Sequence, residues 1–199
     1  MATRRQSKSA HYRYRLHVQL ADIEPVVWRT IWVESQMALG QLHHILQAAM
    51  GWTDAHLHQF DIQGVMYALP HPEDDAGIPM IDERRVLLKE LLSINLEFEY
   101  LYDFGDSWRH RITVDQVEKQ DQPMGSAHVE DGSGACPPED SGGSWGYQEF
   151  LDGQRENPRR KEVIAFLRWA GKDFDPHRFE RRAANAALLR MAWNQWGSK

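Results

Sequence analysis

Residues 96–114 read LEFEYLYDFGDSWRHRITV, and this stretch decides the fold class. Apart from Leu101, the large apolar and aromatic residues before Phe104 occupy even-numbered positions, and those after Asp106 do so again. Alternation with a period of two is typical of a half-buried strand. Gly and Asp between two alternating runs indicate a turn. The stretch therefore predicts a β-hairpin with one buried face.

The register of this hairpin follows from the same parity. Residues that pair across two strands point to the same face of the sheet. A two-residue turn would mix the two sets, whereas a three-residue loop at 104–106 keeps every even-numbered residue on one face. We therefore predict that Tyr102 pairs with Trp108. The same register sets Glu99 opposite Arg111, and opposite charges across two strands are favourable.

The composition excludes several classes of protein. The chain of 199 residues is long enough for one large or two small domains with a sizeable core. No apolar run approaches the roughly 20 residues of a membrane helix, and no apolar segment follows the basic start as in a secretory signal. The single cysteine, Cys136, rules out an internal disulfide and fits a reducing compartment. We expect a cytoplasmic protein without membrane contacts.

Strand and helix periods along the rest of the chain predict an α+β fold. Alternating runs indicate early strands, and a helical period that stops at Gly51 follows the first two. Strands that precede a group of helices favour a largely antiparallel sheet, with the C-terminal helices packed on it. Besides the hairpin, the predicted strands span 12–20, 26–33 and 56–68, and the predicted helices span 35–50, 86–92, 145–152, 158–170 and 175–196. For the first helix, Ser35 is a candidate N-cap and a start nearer Ala38 is the alternative.

The chain is expected to form one domain. Residues 1–10 are polar and predict a flexible N-terminal arm. Residues 11–199 then make a single α+β domain with the hairpin at the centre of its sheet. Within it, residues 119–143 lack periodicity and predict a long loop, and residues 144–197 predict a helical C-terminal part.

Four motifs resemble those of a known family. They are IEPVVWR at 23–29, LHHILQAAMGW at 42–52 followed by HLHQF at 56–60, YLYDFGDSWRHRITV at 100–114, and CPPEDSGG at 136–143. In this order they resemble the plasmid pRiA-four-b Orf-three-like family, which includes insertion-sequence passenger proteins often labelled TnpR. The resemblance implies an α+β fold and an association with mobile elements, but no defined activity. The last family motif commonly reads CPPEDCGG, and this chain has Ser141 at its second cysteine.

A group of histidines and acids near the hairpin is a candidate metal site. His56 and His58 are two apart on a predicted strand and therefore share a face. Asp106 lies at the hairpin tip, and His110 lies on its second strand. Imidazole and carboxylate are ligands of zinc and similar divalent ions. These four residues are the candidate ligands of a metal-dependent hydrolase or nuclease, and Cys136 is a further candidate as a metal ligand or nucleophile. The alternative is a structural role in capping the turn and in hydrogen bonds on the sheet.

Two more residues lie near this group. His43 is expected at the margin of the apolar face of the predicted helix. Asp103 precedes the hairpin loop, and its parity is opposite to that of His110. The sequence therefore predicts that the side chains of Asp103 and His110 point to opposite faces of the sheet.

The aromatic face of the hairpin predicts a ligand cleft. A long acidic loop is expected to overhang this face, and concave sites with aromatic walls and a few polar groups are typical binding sites. The leading hypothesis is a non-catalytic module that binds a ligand or partner as an accessory of a mobile element, with a divalent metal as its one suggested cofactor. The candidate cleft residues are Tyr102, Asp106, Trp108, His110, Glu139, Asp140 and Trp145.

Basic residues give a third hypothesis, an accessory protein of transposition or recombination that binds DNA. The alternative interpretation is that these basic residues form ordinary solvated helix faces and a tail. The net charge of −6 and the pI of about 5.9 weigh against general nucleic-acid binding, which usually needs a basic surface. The clusters are Arg4, Arg5 and Lys8; Arg159, Arg160 and Lys161; and Arg181 and Arg182.

Overall fold

An eight-stranded sheet forms the centre of the computed structural model, which describes residues 11–70, 80–171 and 173–195. The strands are β1 His11–Leu20, β2 Trp28–Glu34, β3 His58–Ile62, β4 Val65–Ala68, β5 Met80–Asp82, β6 Glu97–Tyr102, β7 Trp108–Gln120 and β8 His128–Ser133. Their order in the sheet is β5-β4-β3-β6-β7-β1-β2-β8. The β4–β5 pair is parallel, and the other neighbouring pairs are antiparallel.

Five α-helices accompany the sheet: α1 Leu39–Met50, α2 Leu88–Leu91, α3 Gly143–Glu156, α4 Lys161–Ala170 and α5 Arg181–Trp193. One of them, α1, follows the first two strands, and three come at the C-terminal end. This arrangement confirms the predicted α+β fold with a largely antiparallel sheet, a central hairpin and C-terminal helices on the sheet. No helix among the described residues is long and apolar enough to cross a membrane.

The register of the central hairpin, β6–β7, is confirmed. Tyr102 pairs with Trp108, and the even-numbered strand residues between Phe98 and Val114 are buried. The backbone N–H of Ser107 donates to the carbonyl oxygen of Asp103 at 2.6 Å, so residues 104–106 lie inside the closing hydrogen bond. Both Asp103 and Ser107 have a left-handed backbone, with φ of 57° and 55°. These two residues allow the chain to reverse without changing the face of either strand.

Helix α1 covers the buried face of the sheet. Leu42, Ile45 and Leu46 are fully buried, as their spacing on one helix face predicts. Burying one such side chain contributes about 1.5–3 kcal/mol, so this face fixes the helix on the sheet. Gly51 ends the helix with a φ of 104°, a conformation that glycine adopts without steric strain.

Two predicted segments differ from the structure. The predicted strand at 56–68 is a hairpin, β3–β4, because Gln63 and Gly64 both have positive φ and form a two-residue turn. The predicted loop at 119–143 contains the end of β7 and all of β8, which pairs with β2. The sequence HVEDGS gave no strand signal because Val129 is the one fully buried residue of β8.

The last two helices start later than the sequence predicts, whereas α3 starts two residues earlier and ends four residues later than predicted. Helix α4 begins at Lys161 instead of 158, and α5 begins at Arg181 instead of about 175. Leu188 and Met191 are buried as expected, but Leu189 and Trp193 are exposed. The predicted arm at 1–10, most of the loop at 70–81, and residues 196 and 197 of the predicted helical part lie outside the described residues.

A buried cation, Arg29, joins the end of α1 to the segment after β8. Its guanidinium donates to the carbonyl oxygens of Ala49, Ser133 and Gly134 at 2.9–3.1 Å. It also lies 3.8 Å from the ring centre of Phe179, a cation–π distance. Burial lowers the pKa of Arg29 to about 10, so the group stays charged at neutral pH. Carbonyl oxygens and an aromatic ring thus take the place of a counter-ion.

Candidate functional site

The segment that connects α1 to β3, residues 51–57, is held by side chains on both sides, and we call it the α1–β3 loop. The indole N–H of Trp52 donates to the carbonyl oxygen of Pro137 at 3.0 Å. Thr53 donates to the Glu139 carboxylate through its backbone N–H at 3.0 Å and its hydroxyl at 2.6 Å. The backbone N–H of Ala55 donates to the Tyr102 hydroxyl at 3.1 Å. These bonds attach the loop to the CPPED segment, residues 136–140, and to the central hairpin.

Asp54 anchors the α1–β3 loop to α1. His43 donates from Nε2 to Oδ1 of Asp54 at 2.6 Å, and His44 donates from Nδ1 to Oδ2 at 2.8 Å. The backbone N–H of Asp54 donates to the Gln47 side chain at 3.1 Å. Partial burial opposes ionisation of Asp54, but the two imidazole hydrogen bonds outweigh it and hold the pKa of this carboxyl well below its usual range.

A buried chain of polar groups continues from His43 into the core. The Tyr100 hydroxyl contacts His43 Nδ1 at 2.8 Å and accepts from the Gln47 side chain at 2.9 Å. The ring of His58 stacks on that of His43 with 3.4 Å between centres, and His58 Nε2 contacts both carboxylate oxygens of Glu83 at 3.0 Å. We call these five residues with Asp54 the inner network.

A second group, which we call the outer cluster, consists of His56, Asp103 and Asp140. His56 Nε2 lies 3.7 Å from Oδ2 of Asp103 and 3.7 Å from Oδ1 of Asp140. The ligand atoms of the three residues all lie within 4.8 Å of one another. The side chain of Asp140 is 77% exposed and that of His56 is 30% exposed, so solvent and small ions reach the cluster.

The geometry of the outer cluster fits a metal ion. A point at equal distance from three atoms with these separations lies about 2.0–2.4 Å from each, and zinc binds imidazole nitrogen and carboxylate oxygen at about 2.0–2.2 Å. Oδ1 of Asp103 accepts backbone N–H groups from Gly105 at 2.8 Å and Asp106 at 3.3 Å, so this side chain is fixed while Oδ2 faces His56. A carboxylate that binds a metal through one oxygen often accepts hydrogen bonds at its other oxygen, which hold it in place.

The CPPED segment is fixed behind Asp140. The hydroxyl of Tyr102 donates to Glu139 at 2.7 Å. Burial opposes ionisation of Glu139, but the bonds from Thr53 and Tyr102 outweigh it and lower the pKa of this carboxyl. Burial raises the pKa of the Cys136 thiol, with Arg29 opposing, which keeps it protonated. Asp140 therefore projects from an anchored backbone.

The predicted cleft residues lie on the hairpin, on the CPPED segment that contacts it, and, for Trp145, at the start of α3. Tyr102, Trp108 and His110 are fully buried, and Trp145 is 78% exposed at the start of α3. Asp106 accepts the backbone N–H of Gly142 at 3.2 Å, and Glu139 binds Tyr102. The aromatic face is thus the buried base of the contact, and Asp140 is its exposed part. Trp108 Nε1 and His110 Nε2 have no hydrogen-bond partner among the described residues.

The predicted metal ligands are distributed over separate environments. His58 belongs to the inner network, His110 donates from Nδ1 to backbone carbonyl oxygens, and Cys136 is a protonated thiol near Arg29. His56 is the member that meets other ligand-type side chains, and these are Asp103 and Asp140. In the described part of the chain, the groups of three that could hold an ion are the outer cluster and His43–His44–Asp54.

Sequence parity failed to identify Asp103 as a partner of His56 because the residue is not extended. Parity predicts side-chain direction only for a strand, and the φ of 57° turns Asp103 out of the β6 pattern. Asp54 was missed because it lies in a loop without periodicity. The available signal was the pair His43 and His44 near the end of a helix, with Asp54 in the loop that follows. This spacing did not specify that both imidazoles would contact one carboxylate.

The basic clusters within the described residues are partly neutralised. Arg160 donates to Glu162 at 3.0 Å and lies 3.9 Å from Glu149. Arg181 donates to the backbone carbonyl oxygen of Glu130 at 2.8 Å. The first cluster, near the N-terminus, lies outside the described residues. Surface ion pairs of this kind are typical of solvated helices.

Comparisons with known proteins give one family. The model of the family described as "Plasmid pRiA4b ORF-3-like protein" matches residues 12–183. The "Uncharacterized protein y4hQ" of Sinorhizobium fredii is 38% identical over 188 residues, which cover 93% of this chain and 92% of that protein. A crystal structure of a "Protein of Unknown Function MM3350" from Methanosarcina mazei Go1 is similar with a TM-score of 0.76 and 30% identity, covering 86% of this chain and 97% of the other. The chain belongs to the plasmid pRiA4b ORF-3-like family.

Proposed function

We propose that this chain is a cytoplasmic binding module that holds a divalent cation at His56, Asp103 and Asp140. The observation that carries the proposal is the separation of 3.7 Å between the His56 nitrogen and each carboxylate oxygen. This separation exceeds the 2.7–3.2 Å of an N–H···O hydrogen bond. The three atoms therefore converge on a common point without bonding to one another.

The charges of the outer cluster support a cation. Two carboxylates that approach one imidazole repel each other unless a positive charge lies between them. A divalent ion at the common point removes this repulsion. One nitrogen and two oxygen ligands suit Zn²⁺ or Mn²⁺ better than Ca²⁺, which takes six to eight oxygen ligands.

A role in a mobile element is part of the same proposal. Its support is the family description, which names a plasmid reading frame. A fixed cation site with exposed coordination positions suits an accessory protein that captures a ligand or partner through the ion. Leu57 and Phe104, which follow His56 and Asp103 in the chain, are both at least half exposed and add apolar contact area.

Isothermal titration calorimetry of untagged protein with zinc or manganese chloride tests the cation. We expect one ion per chain, and a loss of affinity of more than about ten-fold in Asp140→Asn, because one charged ligand is removed. Asp121→Asn is the matched control, since Asp121 is also exposed and lies outside the outer cluster. No binding by the natural chain, or equal binding by both variants, contradicts the proposal.

A metal-dependent hydrolase is the second candidate. Three protein ligands that leave a position open to solvent are the pattern of catalytic zinc sites, and the exposure of Asp140 favours it. The chromogenic phosphodiester bis(p-nitrophenyl) phosphate distinguishes the two functions. Metal-dependent turnover that disappears in Asp140→Asn supports the hydrolase, and metal binding without turnover supports the binding module.

A further inference from the structure

A cavity of about 380 Å³ lies on another side of the α1–β3 loop, between α1 and α5. This volume is within the range of sites that hold small molecules, about 300–1,000 Å³. Asp54 contributes to one wall from the loop, and Arg190 contributes to another from α5. The ligands of the outer cluster do not line it. The cavity is therefore a separate candidate site, and its argument does not depend on a metal ion.

The cavity carries one group of each charge. Each carboxylate oxygen of Asp54 accepts one imidazole N–H, from His43 or His44, and retains a second lone pair. The guanidinium of Arg190 has no carboxylate within 4.0 Å in the part of the chain that the structure describes. A guanidinium binds a ligand carboxylate through two parallel hydrogen bonds. Opposite charges on two walls favour a ligand that carries both signs.

Apolar side chains line the space between these charges. Trp52 and Met191 line the cavity and are themselves more than nine-tenths buried in the fold. The Trp52 indole is held by its hydrogen bond to Pro137, so its orientation is fixed. An indole beside a carboxylate is a favourable environment for an ammonium group. Met191 offers a flexible contact for an aliphatic or thioether side chain.

We propose that this cavity binds a small zwitterion of the α-amino acid class. The ligand carboxylate binds Arg190, its ammonium group binds Asp54 beside Trp52, and its apolar side chain contacts Met191. The site lies where α1, the α1–β3 loop and α5 meet. A bound ligand would therefore bridge α5 to the loop that also carries His56.

Calorimetry with L-methionine as the probe tests the charge requirement. We expect saturable binding of L-methionine, and binding at least about ten-fold weaker for N-acetyl-L-methionine and for L-methioninamide, each of which lacks one charge. No L-methionine binding at about 10 mM overturns the proposal. Equal binding of all three compounds also overturns it, because neither charge would then be recognised.

A matched pair of variants on α5 tests the position of the site. Arg190 and Arg182 are both exposed, so replacing either one should leave the fold intact. Arg190→Gln should weaken L-methionine binding at least about ten-fold, whereas Arg182→Gln, outside this cavity, should not change it. An unchanged affinity in Arg190→Gln overturns the assignment. Binding should persist in EDTA, and loss of binding there would place the ligand at a metal ion instead.

Discussion

The inner network and the outer cluster contain the same kinds of side chain, but they differ in hydrogen bonding and in access to solvent. In the inner network, His58 contacts Glu83 at 3.0 Å and both side chains are buried. In the outer cluster, His56 lies 3.7 Å from two carboxylates and the group reaches solvent. Residue type therefore does not distinguish the structural histidines from the candidate ligands. The two groups are distinguished by how completely their side chains are hydrogen-bonded and by their access to solvent.

The difference has an energetic basis. A buried imidazole or carboxylate is tolerated only when its hydrogen bonds are made, and the inner network meets this condition. Its members can leave their partners only at a large cost, so they are poorly suited to bind an ion that comes and goes. The members of the outer cluster have no such bonds to one another. His56 and Asp140 can reorganise around a cation at little cost to the fold, and Asp103 already presents Oδ2 toward His56.

The largest expected effect is the loss of Glu83 from the inner network. Glu83→Ala leaves the buried imidazole of His58 without a partner, which should lower the free energy of unfolding by about 3 kcal/mol. Urea unfolding measures the change. Glu156→Ala, at an exposed position in α3, is the control and should change stability by less than about 0.5 kcal/mol. A loss below about 1 kcal/mol for Glu83→Ala would show that the inner network is not structural.

A smaller effect is expected from pH, through a third buried imidazole. Burial lowers the pKa of His110 to about 4, although the carbonyl oxygens of Tyr100 and Trp108 oppose the shift. Below the unfolded pKa of about 6.5, the unfolded chain takes up a proton that the folded chain excludes. Stability is therefore lost as pH falls from 6.5 to 4. The part due to His110 between pH 7 and pH 5.5 is about 1 kcal/mol.

The variant His110→Asn isolates this contribution because an amide can keep the donor that faces the two carbonyl oxygens. The variant will be less stable at every pH, so the informative quantity is the difference between pH 7 and pH 5.5. Urea unfolding should show that this difference is about 1 kcal/mol smaller in the variant than in the natural chain. If the stability difference between pH 7 and pH 5.5 is the same in the variant and the natural chain, His110 has the same pKa in the folded and the unfolded chain, which contradicts this prediction.

The smallest effect on stability is expected in the outer cluster. Asp140→Asn without metal should change the free energy of unfolding by less than about 0.5 kcal/mol, because the side chain is exposed and makes no hydrogen bond to the residues that the structure describes. Differential scanning calorimetry with and without zinc chloride measures the thermal stability of the zinc-bound and the metal-free protein. The natural chain should gain thermal stability with zinc, and the variant should not. If the variant without metal is much less stable than the natural chain, Asp140 stabilises the fold as the inner network does, which would contradict the account.

The sequence was sufficient for the framework because parity and helical period report burial directly. The pairing of Tyr102 with Trp108 and the buried face of α1 follow from these two patterns. Strand β8 and the turn at 63–64 were missed because they depend on partners and backbone angles that no hydrophobic pattern records. An edge strand with one buried side chain is specified by its neighbour in the sheet.

The candidate site was less predictable because it also depends on distant partners and on backbone angles that no hydrophobic pattern records. His56 was selected by residue type, but its partners come from the hairpin turn and the CPPED segment, about 47 and 84 positions further along the chain. Both Asp103 and Asp140 have left-handed backbone conformations, with φ of 57° and 58°. Such residues point where neither strand nor helix periodicity indicates, and they are common at functional sites.

The most direct test of the account is anomalous X-ray diffraction from crystals of the untagged chain grown with zinc or manganese chloride. We predict an anomalous peak about 2.0–2.4 Å from His56 Nε2 and from one oxygen each of Asp103 and Asp140. The inner network should show the same hydrogen bonds as without metal. A peak at His43, His44 and Asp54, or no peak at the outer cluster, would contradict the account.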